Sequence, residues 1–173
     1  MDSFPSRDPE KIIAEIAKRI AGVSRPLVAV DGMLGAGKTP LAELVAPRLG
    51  LLCLDLDCYM LPEFERRGRG YVATLQLNDL RRDIDNASTG IILAGICMRD
   101  VLQQLRREAT IHVYVKRWDK FNDCWADEDS CGQEALDLIT PGLRDSRGAA
   151  IEYHMRRHPE QHSALEWRSP GLE

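Results

Sequence analysis

Apolar residues recur along this chain at two spacings, and the alternation between them predicts the architecture. Ile12, Ile13, Ile16, Ala17 and Ile20 fall three and four apart, the stripe of an amphipathic helix. Asp8, Pro9 and Glu10 ahead of them supply an N-cap, a proline at the first helical position and an acid suited to the helix dipole, and Gly22 is the stop. Residues 27–30 form a short unbroken apolar run, which predicts a buried strand. Leu41, Leu44, Val45 and Leu49 then return to helical spacing, ending near Gly50. Residues 51–57 are a second apolar run that turns acidic at its end. Beyond it the pattern predicts a helix over 75–86, a buried strand over 90–96 and a helix over 98–107. A strand of period-two character follows at 110–116. Helices are expected at about 131–138 and 144–157, separated by Pro141-Gly142, with a short fifth strand at an edge over 164–167. Residues 1–7 are expected to be a loose tail. Strands alternating with helices predict one domain over 1–173, a three-layer α/β/α sandwich around a mostly parallel five-stranded sheet.

Composition narrows the class without changing that picture. At 173 residues the chain can bury a sizeable core as one domain, and 44% hydrophobic with 29% charged residues is ordinary for a soluble globular protein. A net charge of −4 gives no electrostatic reason to expect nucleic acid or an acidic membrane as partner. No apolar run approaches a membrane span, and the first ten residues lack a signal-peptide core. The cysteines at 53, 58, 97, 124 and 131 are odd in number and contain no C-x-x-C. They read as reduced, mostly buried thiols of a cytoplasmic protein, monomer or homodimer, and Cys124 and Cys131 match no zinc spacing.

The chemistry lies between the first strand and the helix that follows it. Gly32-Met33-Leu34-Gly35-Ala36-Gly37-Lys38-Thr39 satisfies G-x-x-x-x-G-K-[ST], the phosphate-binding P-loop, in the strand–loop–helix context that the motif needs. Its glycines permit backbone angles and a close approach that a Cβ would block. Loop N–H groups and the positive end of the helix then face phosphate, Lys38 reaches the β- and γ-phosphates, and the Thr39 hydroxyl ligates Mg²⁺. Pro40 departs from the usual loop. A residue there commonly gives its N–H to the α-phosphate and proline has none, although the first helical turn accepts it sterically. One hydrogen bond worth about 1.5–3 kcal/mol is therefore expected to be missing unless something replaces it.

Ligands in parallel α/β sheets sit beyond the carboxyl ends of the strands, so Asp55 and Asp57 at the end of the second strand are candidates for chemistry. Two residues apart, they are expected to share a sheet face. Residues 60–72 carry Arg66, Arg67 and Arg69 among glycines, either a solvated charge cluster or a substrate flap. His112 within a strand reads as a packed or edge residue. Residues 117–130, polar with three interspersed aromatics, break the alternation where a lid could sit.

P-loop proteins include switches, motors and kinases, so the loop alone does not fix the function. Absence of N-K-x-D argues against a guanine-specific switch, and absence of L-S-G-G-Q against a transporter ATPase. The chain resembles the uridine kinase and phosphoribulokinase group of P-loop kinases in four places. These are VAVDGMLGAGKT, Asp57-Cys58-Tyr59 leaving the second strand, IILAGICMRDVL, and LRDSRG at 143–148. The resemblance implies ATP and Mg²⁺ as cofactors and a small-molecule hydroxyl acceptor. It implies Asp57 as general base, Tyr59 beside the substrate, and Arg144 and Arg147 as lid arginines acting with Lys38. Apart from the resemblance, Arg69 on the flap is a candidate substrate contact, and Asp55, which has no firm counterpart in the group, is a candidate support for the metal. Where the group has a glutamate on the third strand this chain has Ala94. Three activities fit these residues: a kinase for a nucleoside or similar metabolite, a binding-only protein with a degenerate kinase site, and an NTP hydrolase.

Overall fold

The structure is a computed structural model and describes residues 4–119, 124–125 and 146–169. Its centre is β2 (Leu27–Asp31), every residue of which is buried. Beside it run β4 (Ile91–Ala94) on one side and β5 (Ile111–Asp119) on the other. β3 (Leu52–Asp55) lies outside β4, and β7 (Leu165–Ser169) outside β5, both parallel to their neighbours. These five strands are the parallel sheet that the alternation predicts. Strand order reverses direction around β2, and that is where an open α/β sheet forms its ligand crevice.

Two features depart from expectation. The supposed loose tail contains β1 (Phe4–Ser6), which pairs in parallel with β7, so the fifth strand is not at the edge. A three-residue strand is too short for periodicity to reveal. β6 (Cys124–Trp125) adds an antiparallel pair at the far end of β5, inside the segment expected as a lid. Residues 117–119 of that segment end β5, whereas 120–123 and 126–130, the helix expected at about 131–138 and the break at Pro141-Gly142 lie outside the described residues.

Alternate residues of β2 point into two cores, which is what makes three layers. Val28 and Val30 face α1 (Pro9–Ile20) and α2 (Lys38–Leu49), packing with Ile12, Ile16, Leu41 and Val45. Leu27 and Ala29 face α4 (Leu77–Asn86), α5 (Met98–Leu105) and α6 (Ser146–Arg157), through Leu80, Ile84, Val101, Leu102 and Ile151. A short helix α3 (Glu63–Arg66) occupies the loop after β3. Asp8 caps α1 by accepting the Glu10 N–H at 3.0 Å, as the sequence predicts. Of the described thiols only Cys97 is buried, while Cys53 is half-buried and Cys58 exposed, fewer than expected.

Candidate active site

The site begins where β2 runs out. Gly32 follows Asp31 at φ +149°, and a Cβ there would lie 2.4 Å from the Val115 carbonyl oxygen of β5. Only glycine fits where the loop leaves the sheet. Gly35 and Gly37 take φ values of +69° and +98°, and Gly37 caps α2. Met33 is buried, Leu34 lies exposed on the loop and Ala36 is buried against the core. Lys38 starts α2, and its ammonium donates to the Met33 carbonyl at 2.7 Å, which holds it across the loop's hollow. Burial lowers its pKa, against the opposing charges of Asp31, Asp57 and Asp55. Pro40 is the third residue of α2 and exposed, so its missing N–H breaks no helical hydrogen bond.

The loop's position is held from below. Asp31 is fully buried, and its carboxylate accepts the Gly32 N–H at 2.8 Å and the hydroxyl of Tyr153 on α6. The Tyr153 oxygen in turn accepts the Arg99 N–H at the start of α5, 3.2 Å away. Burial pushes the Asp31 carboxyl above its ordinary range, so these donors are what keep a carboxylate tolerable there. His154 next to Tyr153 bonds Tyr114 at 2.8 Å and the Ala150 carbonyl at 2.7 Å. The link ties α6, α5 and the P-loop strand into one support.

The acids take different positions from those that alternation alone suggests. Asp55 is the last residue of β3, but Asp57 lies beyond the strand in a 3-10 turn, Leu56–Tyr59. They therefore do not share a sheet face. Asp55 accepts the Thr39 hydroxyl at 2.5 Å and the Asp57 N–H at 2.9 Å, capping that turn and aligning the acid after it. Its register partner on β4 is Ala94, so its carboxylate stands one strand away from the position of the absent glutamate. Asp57 is exposed to the crevice. Partial desolvation, then the charge of Asp55, raises its pKa above the usual 3.8, with Lys38 pulling the other way.

Lys38, Thr39, Asp55 and Asp57 line one cavity of about 730 Å³. Tyr71 closes one side of it, and Arg117, Trp167 and Ser169 line the other. Tyr71 also lines a neighbouring cavity of about 400 Å³ between the turn after Gly70, α5 and α6. Its hydroxyl is buried with no hydrogen-bond partner among the described residues, and burial raises its pKa, so it is a neutral donor. The indole N–H of Trp167 is likewise buried and unpartnered among the described residues.

Other expected residues lie elsewhere. Tyr59 is buried with its hydroxyl on Asp83 of α4 at 2.8 Å, outside the cavity lining. Arg69 is exposed and lines neither cavity. Arg147 is exposed on the first turn of α6, and Arg144 lies outside the described residues. His112 is packed in an interior strand, and burial, then the charge of Arg99, lowers its pKa to about 4, so it stays neutral. Sequence reasoning missed Tyr71, Arg117, Trp167 and Ser169. The rule that found Asp55, chemistry at the carboxyl end of a strand, applies equally to Arg117 and Ser169.

No protein-family model and no curated protein sequence matches the chain. Solved structures do. A protein provisionally assigned as a uridine kinase from Bacillus stearothermophilus superposes with a TM-score of 0.55 at 16% identity, covering 91% of this chain and 98% of the other. One provisionally assigned as a fructose transport system kinase from Silicibacter sp. TM1040 gives 0.50 at 17% identity, covering 94% and 100%. The chain shares its three-layer α/β/α fold with these two proteins. At such identities the likeness extends to architecture and not to substrate. Among the described residues no cluster of three or more His, Cys, Asp or Glu side chains could hold a metal alone, and no helix is long and apolar enough to cross a membrane.

Proposed function

We propose that the protein is an ATP-dependent small-molecule kinase that transfers the γ-phosphate to a hydroxyl of a nucleoside or similar metabolite. The observation that carries this reading is the shared cavity, in which Asp57 faces the same space as Lys38, Thr39 and Asp55. A hydrolase needs only water at that point, whereas the adjoining cavity behind Tyr71 offers room for an organic acceptor. Val72, Leu77 and Tyr71 give that cavity an apolar side and Asp100, Glu152 and Arg156 a polar one, a mixed lining that suits a ring bearing hydroxyls.

Each residue then has a task. Loop N–H groups and Lys38 bind the β- and γ-phosphates, and Lys38 exchanges its bond to the Met33 carbonyl for phosphate oxygen. Thr39 and Asp55, two hard oxygen donors already in contact, would hold Mg²⁺, with the remaining positions taken by phosphate and water. Bound there, Mg²⁺ neutralises charge that builds on the phosphates. Asp57 accepts the proton of the acceptor hydroxyl as that oxygen bonds to the γ-phosphorus. The bond from the γ-phosphorus to the β–γ bridging oxygen breaks, and ADP leaves with the electron pair. A base raised above the ordinary carboxylate value is better matched to an alcohol proton than a fully solvated one.

Asp57→Asn tests the assignment. It is expected to lower acceptor-dependent turnover by about 100-fold or more while Mg·ATP binding changes by less than about threefold. Equal losses in turnover and binding would remove Asp57 from the role of base. Ala94 and Pro40 favour a second reading, a site that binds nucleotide without transfer, and an intact chain with no turnover but measurable Mg·ATP binding would select it.

A further inference from the structure

We propose that Arg117, assisted by Ser169, is a phosphate clamp that closes the P-loop from the sheet side and supplies donors that the loop lacks. The inference rests on the reading of the loop as a polyphosphate site, and it assigns a role to residues outside the motif.

Register puts the two side by side. Arg117 near the end of β5 pairs with Ser169 at the end of β7, at the carboxyl edge of the sheet next to β2. Both reach the glycine loop. A Cβ on Gly35 would sit 3.3 Å from Arg117 Nη1 and 3.9 Å from its Cζ, so the guanidinium lies against the loop backbone at its middle glycine. A Cβ on Gly37 would sit 3.3 Å from Ser169 Oγ. The same cavity that contains Lys38 and Thr39 is lined by both residues. Contact with the open face of a loop built to take anions is where a cation can meet the same ligand.

Charge makes the placement consequential. The neighbouring cations are occupied: Lys116 lies 3.8 Å from Glu166 and Arg168 lies 2.7 Å from it. Arg117 forms no ion pair with a described carboxylate. Within the cavity, the loop's own cation Lys38 faces the two acids Asp55 and Asp57, so the positive charge that meets a polyphosphate comes mainly from outside the loop, from Arg117 and from Arg7 at the N-terminal side. A guanidinium offers five N–H donors in a planar fork that suits phosphate oxygens, and it cannot lose its proton. Pro40 removes one backbone donor from the start of α2, and the Ser169 hydroxyl against Gly37 is placed to replace it.

The experiment is calorimetric titration of the full chain with Mg·ATP and, separately, with Mg·tripolyphosphate, which has the phosphates and no nucleoside. Arg117→Gln is expected to weaken both ligands by about 10- to 100-fold. Arg117→Lys should recover only part of that loss, because an ammonium keeps the charge without the fork. Ser169→Ala should weaken both by about three- to tenfold. If Arg117→Gln proves unstable, the lysine variant carries the test, with binding about fivefold or more below wild type as the supporting result. Wild-type-like binding of both ligands by the arginine variants overturns the clamp and leaves the kinase reading intact. Loss of Mg·ATP binding with tripolyphosphate unaffected also overturns it, since the guanidinium would then be serving the nucleoside. Failure of the wild-type protein to bind either ligand overturns the polyphosphate site itself.

Discussion

At the scale of single residues, the site turns on two carboxylates two positions apart whose environments have been made different. Asp55 spends its oxygens on the Thr39 hydroxyl and the Asp57 N–H, and Asp57 is left facing the cavity. Desolvation and the charge of Asp55 both push the Asp57 pKa upward. Under the proposed role as base, Asp57 must be deprotonated to work, so kcat/KM should fall as pH drops through that raised value, giving an acid limb above pH 3.8. Asp55→Asn removes the charge that helps to raise it. The acid limb of the residual activity should then move to lower pH, whatever happens to its height. A limb that stays put or moves up would mean that another group controls it. Much of this was legible beforehand: the P-loop spacing named Lys38 and Thr39, and the acid end of an apolar run named Asp55 and Asp57. What sequence could not separate was strand from 3-10 turn between them. A two-residue spacing implies a common face only while the strand continues, and Asp55 ends it by capping the turn.

At the scale of elements, the turn that carries Asp57 is held by a contact that admits no extra atom. Gly95 follows β4, and a Cβ there would lie 2.3 Å from Leu56 Cδ1 and 2.7 Å from its Cβ. Leu56 is fully buried and lies in the turn that carries Asp57. Its own Cβ is among the obstructed atoms, so a rotamer change alone does not clear the space. Gly95→Ala is expected to cost about 1–3 kcal/mol, or roughly 3–10 °C in Tm, and to reduce kcat more than nucleotide affinity. Unchanged melting together with unchanged kcat would show that the turn can move freely. The elements themselves were legible because hydrophobic period and glycine stops agree over helices such as α1 and strands such as β2. β1 was not legible, since its three residues gain their structure from the β7 edge rather than from any pattern of their own. Tyr59 was misplaced for a similar reason. An aromatic near a site can serve the site or the core, and only the fold reveals that its hydroxyl goes to Asp83 of α4.

At the scale of the whole molecule, the described helices, three on one face and two on the other, bring distant segments to a single crevice. Asp31 and Tyr153 are 122 positions apart and meet beneath the loop, while Asp55 and Thr39, 16 apart, meet above it. Arg117 and Ser169 come from strands separated by a long crossover and lie abreast at its rim. Local pattern carries no information on such pairings, which depend on sheet order and register. With that order, β2 flanked by β4 and β5, the chain shares its overall architecture with solved proteins provisionally assigned as kinases. The central claim is that this crevice moves a phosphate to an organic hydroxyl. The most direct test is ADP release from Mg·ATP with and without a panel of nucleosides, pantothenate and sugar phosphates, with Lys38→Ala as the blank. The account predicts ADP above the blank that appears only with an acceptor, in step with phosphorylated acceptor. ADP formed at the same rate without any acceptor, or Mg·ATP bound and never cleaved, would contradict it.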